Sequence, residues 1–333
     1  MQPSPRKIRY GILGFGLFAE RAIAPAIRAS ANSELIAIQK RSLAVAKEKA
    51  ALHSIPLAFD SAKEMVASKE IDAVYIASAN AFHCAETVIA AGARKHVLVE
   101  KPMAMNSAEC RRMIASCKKH HVKLMVGHML RLSPLVRRMR DIVRSGMIGE
   151  ISSARADFIY DGRISQRRWL LDRKIAGGGP VFDIGVHGLD TLRYVLDDEV
   201  VSTKSFLWPL PSAKRTEDSA SLLLRFSRGT LATISCSFVA PLRRTFIEFI
   251  GTKGIISAFT FTQNNATVYL RTTMGKEGKE EPTKDEEVFV PNLYVEQISN
   301  FSANILDDTE PFAPGSVGLK NQLVLDAAMN LKK

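Results

Sequence analysis

The 333-residue chain has no apolar run long enough to cross a bilayer, which takes about 20 consecutive apolar residues. Met1–Lys7 also lacks the hydrophobic core of a secretory signal. Cysteine is scarce. Cys84, Cys110, Cys117 and Cys236 show neither metal-type spacing nor the pattern of a disulfide framework. Reduced thiols in the cytoplasm are the expectation. Aromatic residues make up only 7%, and none interleave with basic ones. Lys and Arg outnumber Asp and Glu by 46 to 34, a net charge of +12, yet the cations are dispersed and form no tail. Nucleic acid is therefore not an expected partner. A surface charge that draws in small anions accounts for the excess more simply. Internal repeats and low-complexity linkers are absent as well. An apolar fraction of 46% over this length suits two domains with separate cores.

The glycines carry the first positive signal. Ile8–Leu13 reads as a short apolar strand, and Gly14-Phe15-Gly16-Leu17-Phe18-Ala19 follows it into a helical pattern. A G-x-G-x-x-A turn between strand and helix binds a dinucleotide for physical reasons. Gly14 allows the tight turn, Gly16 lets a pyrophosphate reach the backbone, and the helix N-terminus offers N–H donors and partial positive charge. The second strand, Leu35–Gln39, decides between cofactors. An NAD site expects an acid near its end for the ribose 2′-hydroxyl. Here Lys40, Arg41 and Ser42 stand instead, suited to a 2′-phosphate. NADP(H) is expected, with NAD(H) less favoured.

The second signal lies far along the chain. Gly177-Gly178-Gly179-Pro180 precedes Val181–Asp190, with Pro180 suited to the first position of a helix running to about Leu196. Asp183, His187 and Asp190 fall on one face of that largely apolar helix. Buried polar groups need partners or a polar cavity, and Gly185 and Gly188 weaken a helix unless something approaches it closely. Asp183 and His187 are either a pair that holds the helix in place or a proton-handling pair at a substrate site. Two ligands alone do not make a metal site, so no metal is expected. His53, His96, His120 and His121 read as surface or structural. Arg163, Arg167, Arg168, Arg173 and Lys174 flank the loop before the glycines; most read as solvated, with one or two available to an anionic or polyhydroxylated substrate.

Up to about Gly127 strands and helices alternate, with strands near Leu57–Phe59, Asp72–Ala77, His96–Val99 and Lys123–Val126 and helices over Leu43–Leu52, Ala81–Ala91 and Ser107–His120. That βαβ series predicts a doubly wound parallel sheet, a Rossmann domain over 1–128. The rest, 129–333, predicts an α+β domain with a large, mostly antiparallel, open sheet. Its strands are expected near Ile151–Tyr160, Ser219–Phe226, Thr230–Phe238, Phe246–Ile250, Ile255–Phe259 and Thr267–Leu270. Gly275–Glu287, charged and Gly-rich, reads as a solvated hairpin loop, and helices near Leu293–Leu306 and Val317–Leu331 close the chain. Runs such as Leu222-Leu223-Leu224 are apolar on both alternations, so an exposed apolar face and a homodimer or homotetramer formed through it are expected.

Glu100-Lys101-Pro102 follows the strand His96–Val99, where an open α/β sheet binds its ligands. Together with the glycine turn, Asn80 with His83, and Asp183-x-x-x-His187, this order of motifs resembles the Gfo/Idh/MocA family of sugar and polyol oxidoreductases along nearly the whole chain. Trp169–Leu196 and Asn292-Leu293-Tyr294 are most similar to its NADP-dependent 1,5-anhydrofructose reductases, with Leu170 and Met129 departing from their pattern. The resemblance implies that Lys101 and His187 serve catalysis with Asp183, and that the Lys–Pro peptide is cis. It implies cofactor contacts from Gly14, Phe15, Gly16, Leu17, Phe18, Lys40, Arg41, Ser42, Ser78, Asn80, His83, Glu100, Lys101 and Trp169. For a carbohydrate-like substrate it implies Lys101, His128, Arg168, Trp169, Asp183, His187 and Tyr294. The expected reaction moves hydride between nicotinamide and a carbonyl or secondary alcohol. His187 suits general acid–base work, Lys101 can stabilise alkoxide charge or share the proton relay, and Asp183 can bind a neighbouring hydroxyl or orient His187. The competing function is a non-catalytic NADP-binding regulator on the same fold.

Overall fold

A computed structural model describes residues 6–276 and 278–329. Its chain forms two compact units, Met1–Met129 with Tyr294–Gln322, and Leu130–Leu293 with Leu323–Lys333.

In the first unit six parallel strands, β1 (Ile8–Leu13), β2 (Ser33–Gln39), β3 (Leu57–Phe59), β4 (Ala73–Ile76), β5 (His96–Val99) and β6 (Leu124–Val126), lie in the order β3-β2-β1-β4-β5-β6. This is the Rossmann order, with its switch point between β1 and β4. Parallel neighbours require crossovers, which helices such as Leu43–Leu52, Asn80–Gly92 and Ser107–Lys119 supply. Ser42 and Asn106 start two of them by accepting from the N–H of Val45 and Glu109. One core layer joins Ile8, Tyr10 and Ile12 to Ile23 and Ile27. Another joins Val74, Ile76 and Val97 to Cys84, Cys110 and Cys117. All four cysteines are buried, and burial pushes the Cys84 thiol up, that of Cys117 to about 12.

The expected boundary lies at 128/129, whereas the opening segment of the first unit ends at Met129 and Tyr294–Gln322 also belongs to that unit. Tyr294–Gln322 returns to the first unit because its apolar face has its partners there. Ile298, Phe301 and Ala313 bury against Ile8, Tyr10 and Ile12, Tyr10 Oη and Ser302 Oγ lie 2.9 Å apart, and Val126 N donates to the Ala313 carbonyl. The closing helices run over Leu293–Leu306 and Gly315–Met329. Residues 330 and 331 of the expected last helix, like 1–5 at the start and 277 in the expected loop, lie outside the described residues.

The second unit is built on one sheet of β7 (Ile151–Asp161), β8 (Val200–Trp208), β9 (Ser219–Phe226), β10 (Leu231–Ser237), β11 (Val239–Gly251), β12 (Gly254–Phe259), β13 (Ala266–Lys276), β14 (Lys279–Glu280) and β15 (Lys284–Val290). The order is β14-β13-β12-β11-β7-β10-β9-β8, with β15 on β13. Among the described residues of this sheet, only the β10–β7 pairing is parallel. Helix Val186–Leu196 packs on β7, and helix Pro134–Arg144 packs on Val186–Leu196. Along β9 the alternation is strict: Ala220, Leu222 and Leu224 are buried, while Ser221, Leu223 and Arg225 are exposed. The exposed face carries Phe206, Trp208, Leu223, Phe259, Tyr269 and Phe289. Three strands, β8, β14 and β15, go beyond the expectation, and β14 with the first part of β15 lies inside the expected hairpin loop Gly275–Glu287. In β8 the apolar residues fall in adjacent runs, Val200-Val201 and Phe206-Leu207-Trp208, around a polar middle, and β14 and β15 are mostly charged, so none shows a period-two apolar alternation. At the sheet edge charged pairs suffice: Arg271 bridges Asp285 at 2.9 Å and Tyr269 donates to Glu287 at 3.1 Å.

The helix after the glycines also differs. Instead of one α-helix from Pro180, it opens with a π-turn over Val181–Gly185 and continues as an α-helix over Val186–Leu196. The close approach demanded by Gly185 and Gly188 comes from the sheet. A Cβ on Gly188 would lie 2.9 Å from Cβ of Ala156, and one on Gly185 would lie 3.3 Å from Sγ of Cys236.

Candidate active site

The glycine turn is built by exclusion. Gly14 has φ +76°, and a Cβ there would meet Cα of Ser78 at 2.5 Å, so both conformation and space select glycine. Gly16 is exposed, and a Cβ on it would find no atom closer than the Gly14 carbonyl at 3.9 Å. Its backbone stands open beside the first turn of the helix, whose N–H of Glu20 bonds back to Gly16 O. That opening fits a pyrophosphate. Leu17 is exposed and Phe18 half-buried, edge-on to Tyr294 with ring centroids 5.6 Å apart. Phe15 turns its side chain into the core, edge-on to His53, so only its backbone faces the turn. Gln39, the last residue of β2, has a part in the turn that no motif announces. Its backbone and side-chain carbonyls accept from Phe15 N and Gly14 N, fixing the turn to the end of β2. Lys40 donates to the Phe15 carbonyl at 2.9 Å, and Arg41 and Ser42 are exposed beside it.

The next loops are riveted together. His83 is fully buried and faces the Ser78 carbonyl through Nε2 and the Pro102 carbonyl through Nδ1, at 3.1 and 3.0 Å. Burial lowers its pKa. Through these two contacts it holds the two loops together. Asn80 is buried at the start of its helix. Ser78 Oγ donates to Glu86 Oε2 at 2.6 Å, and burial raises the Glu86 carboxyl to about 7. Glu100 accepts from Tyr75 Oη at 2.5 Å and from Lys101 N at 3.1 Å, and Gln297 donates to Tyr75. Burial first, and then Glu100, holds the Tyr75 phenol well above its usual range. Lys101 is half-buried just beyond β5, and the Lys101–Pro102 peptide is cis. His128 is buried, with Nε2 bonded to Nδ2 of Asn321. The first unit thus gathers the glycine turn, Lys40, Ser78, Lys101 and Tyr294.

The second unit gathers Asp183, His187, Arg168 and Trp169. Asp183 is held by two residues whose importance the sequence did not show. Arg167 donates from Nη1 to Oδ1 at 3.0 Å and from Nη2 to Oδ2 at 2.9 Å, and Tyr160 Oη donates to Oδ2 at 3.0 Å. Among the five cations expected to be mostly solvated, Arg167 is thus anchored on a buried carboxylate. Burial alone would lower its pKa, but Asp183 and then Tyr160 hold it above the usual range. Burial and Asp183 raise the Tyr160 phenol. His187 is half-buried, its ring 6.1 Å from that of Phe158 on β7. Asp190 serves structure: Arg131 grips it bidentately, 2.9 Å at the shortest, and stacks on Tyr194. Arg168 is exposed and Trp169 half-buried in the short turn Arg168–Leu171. Glu217, fully buried, starts the helix by accepting from the N–H of Gly179 and Val181 through one oxygen. Burial raises its pKa, against those two N–H groups. Gly179 has no room for a Cβ, which would fall 2.2 Å from the Glu217 carbonyl. Among the described residues no group of three or more His, Cys, Asp or Glu gathers as a metal site.

The two halves of this arrangement define a class: a dinucleotide-binding Rossmann sheet joined in one chain to an open-sheet unit carrying a clamped Asp–His helix. The chain belongs to the GFO/IDH/MocA oxidoreductase family. Residues 8–128 match its NAD-binding Rossmann-fold model, and residues 136–257 its C-terminal domain model. Among curated relatives, the chain is 32% identical to a 1,5-anhydro-D-fructose reductase of Ensifer adhaerens over 93% of this chain and 92% of that one. It is 27% identical to an NADP(+) D-xylose 1-dehydrogenase of Haloarcula marismortui over 94% and 87%. Among solved structures, an aldose-aldose oxidoreductase of Caulobacter crescentus, complexed with glycerol, superposes with a TM-score of 0.87 at 28% identity, covering 97% of this chain and 96% of that one. The chain is an enzyme, an oxidoreductase with an NAD(P)-binding Rossmann domain.

Proposed function

We propose that this enzyme uses NADP(H) and acts on a carbonyl or secondary alcohol of a sugar or sugar-derived polyol. The observation that carries this reading is the half-buried imidazole of His187, four residues beyond a clamped carboxylate, in a chain that also sets Lys101 at a strand end of its dinucleotide-binding sheet. The bound nicotinamide supplies or accepts the hydride. His187 gives or takes the proton of the substrate oxygen, and the Lys101 ammonium stabilises charge on that oxygen. Glu100 fixes the backbone N–H of Lys101 and so its place. The coenzyme preference rests on Lys40, Arg41 and Ser42 at the end of β2, where no acid stands for a ribose hydroxyl. Sugar specificity draws on the carbohydrate names of the relatives.

Turnover with a panel of aldoses, ketoses and their anhydro derivatives, run with each coenzyme, tests the reading. Tight NADP(H) binding without turnover of any of them would favour the regulator instead. The exposed apolar face of the second unit, with Phe206, Trp208 and Phe259, supports a homodimer or homotetramer formed through that face. Light scattering at micromolar concentration checks this; a monomeric mass refutes it. Among the described residues no helix is long and apolar enough to cross a membrane. The buried thiols are in keeping with a cytoplasmic setting.

A further inference from the structure

We propose that Arg167 is a substrate-binding residue, and that Arg167 with Asp183 forms a subsite for uncharged substrates bearing a hydroxyl next to the reacting carbon. This rests on the reading that Asp183 and His187 line the substrate site. The side chain of Asp183 is only 6% exposed, whereas that of Arg167 is 41% exposed, so the guanidinium is the accessible member of the pair. An arginine has five N–H donors. Arg167 spends three on this network, one from Nη1 to Asp183 and two from Nη2 to Asp183 and Tyr160 Oη. Its Nε–H and the second N–H of Nη1 have no partner among the described residues. The rest of the group is fixed: both carboxylate oxygens and the phenol hold its plane, and Tyr160 is itself braced edge-on by Phe238 at 5.3 Å. Donors held in this way lose little freedom when they bind.

The charge of the pair decides the class of substrate. A lone arginine beside an active-site histidine would favour a phosphate or carboxylate. Here the bidentate carboxylate cancels that charge, so an anionic substituent gains little. A neutral hydroxyl needs no net charge in its partner, and its oxygen can accept from the exposed arginine N–H. The two functions converge on one helix face, since His187 follows Asp183 by four residues.

The test crosses the residue with the hydroxyl. Wild-type enzyme and Arg167→Met are assayed with a hydroxylated sugar and with its deoxy analogue lacking the hydroxyl beside the reacting carbon. A hydrogen bond from a charged donor corresponds to roughly 10–100-fold in kcat/KM. The variant should lose about that factor on the hydroxylated sugar, mostly through KM, and little on the deoxy analogue. Equal losses on both substrates would overturn the proposal, as would a wild-type preference for the uronate or phosphorylated analogue. Dinucleotide affinity, measured by fluorescence, reports whether the variant is folded. If Arg167→Met does not fold, Arg167→Lys keeps a cation beside Asp183 and should show the same selective loss; retention of full discrimination by the lysine variant also overturns it. Failure of the underlying reading looks different: wild type then turns over neither sugar.

Discussion

The glycine turn of the first unit and the Asp183 helix of the second solve opposite problems. At the turn, the backbone must be exposed and the side chains kept out of the way. Gly14 takes a left-handed conformation against Ser78, Gly16 stands in open space, and Phe15 points into the core. On the helix, side chains must present charge inside a packed unit. Gly188 lets Ala156 approach, and Arg167 and Tyr160 compensate a nearly buried carboxylate. Backbone requirements are local, and a few spaced glycines disclose them. Compensation of a buried charge is non-local, and its partners come from 16 and 23 positions away.

The largest effects are expected at His187 and Lys101, the proposed proton-handling and charge-stabilising groups. His187→Ala should lower turnover by about 10²–10⁴-fold, the usual contribution of a general acid–base group, and Lys101→Met should do at least as much. NADP(H) affinity should hardly move in either variant. Steady-state kinetics and a dinucleotide titration on the same samples check this. A lowered melting temperature with near-normal specific activity would instead assign both residues to structure.

The two glycines of the turn sharpen the contrast next. Gly14→Ala places a methyl into the backbone of Ser78 at a positive φ, so stability should fall by at least ~2 kcal/mol. Gly16→Ala meets nothing in the protein. It should leave the melting temperature unchanged and weaken dinucleotide binding roughly tenfold, since the methyl stands where the pyrophosphate's hydrogen bonds form. Thermal melts read against titrations separate the two; an unstable Gly16→Ala would remove the argument for an open backbone.

These cases show what could be read in advance. The Rossmann order followed from short apolar runs separated by helical patterns, each with a start signal such as Ser42 or Asn106. Asp183 and His187 stood out because a polar pair in an apolar helix is costly. Arg167 did not, because its position in a run of cations hid which one has a buried partner. Tyr160 sits in a strand where any aromatic suits the pattern. The return of Tyr294–Gln322 to the first unit was equally invisible, since an apolar helix face does not say which sheet it covers. The π-turn at Val181–Gly185 has no residue signature at all.

Coenzyme choice is a smaller effect and concerns the first unit alone. Lys40 already donates to the Phe15 carbonyl, whereas Arg41 is exposed with its guanidinium available. Arg41→Ala should therefore weaken NADP(H) binding about 10–150-fold, the range of one charge-assisted hydrogen bond, and NAD(H) much less. Titration with both coenzymes checks it. Equal losses would mean that Arg41 does not read the 2′-phosphate.

The smallest effect compares two acids, one in each unit. Asp183 has Arg167 as a cation; Glu86 has only the hydroxyl of Ser78, and among the described residues no cation pairs with it. Burial accordingly carries Glu86 from an ordinary value of 4.5 to about 7. A carboxyl raised in the folded state binds its proton more tightly there than in the unfolded chain. Its contribution to stability is complete below about pH 4.5 and is lost as pH rises through about 7. Glu86→Gln keeps a neutral group in place at every pH. Relative to wild type, the variant should gain about 1–2 kcal/mol between pH 5 and pH 8, a figure reduced for partial exposure. Chemical denaturation at the two pH values measures it. Asp183→Asn should show no such gain, because at pH 8 it leaves the Arg167 cation without its anion. If the two variants respond alike to pH, then the carboxylate behind the glycine turn is compensated as fully as the one on the helix.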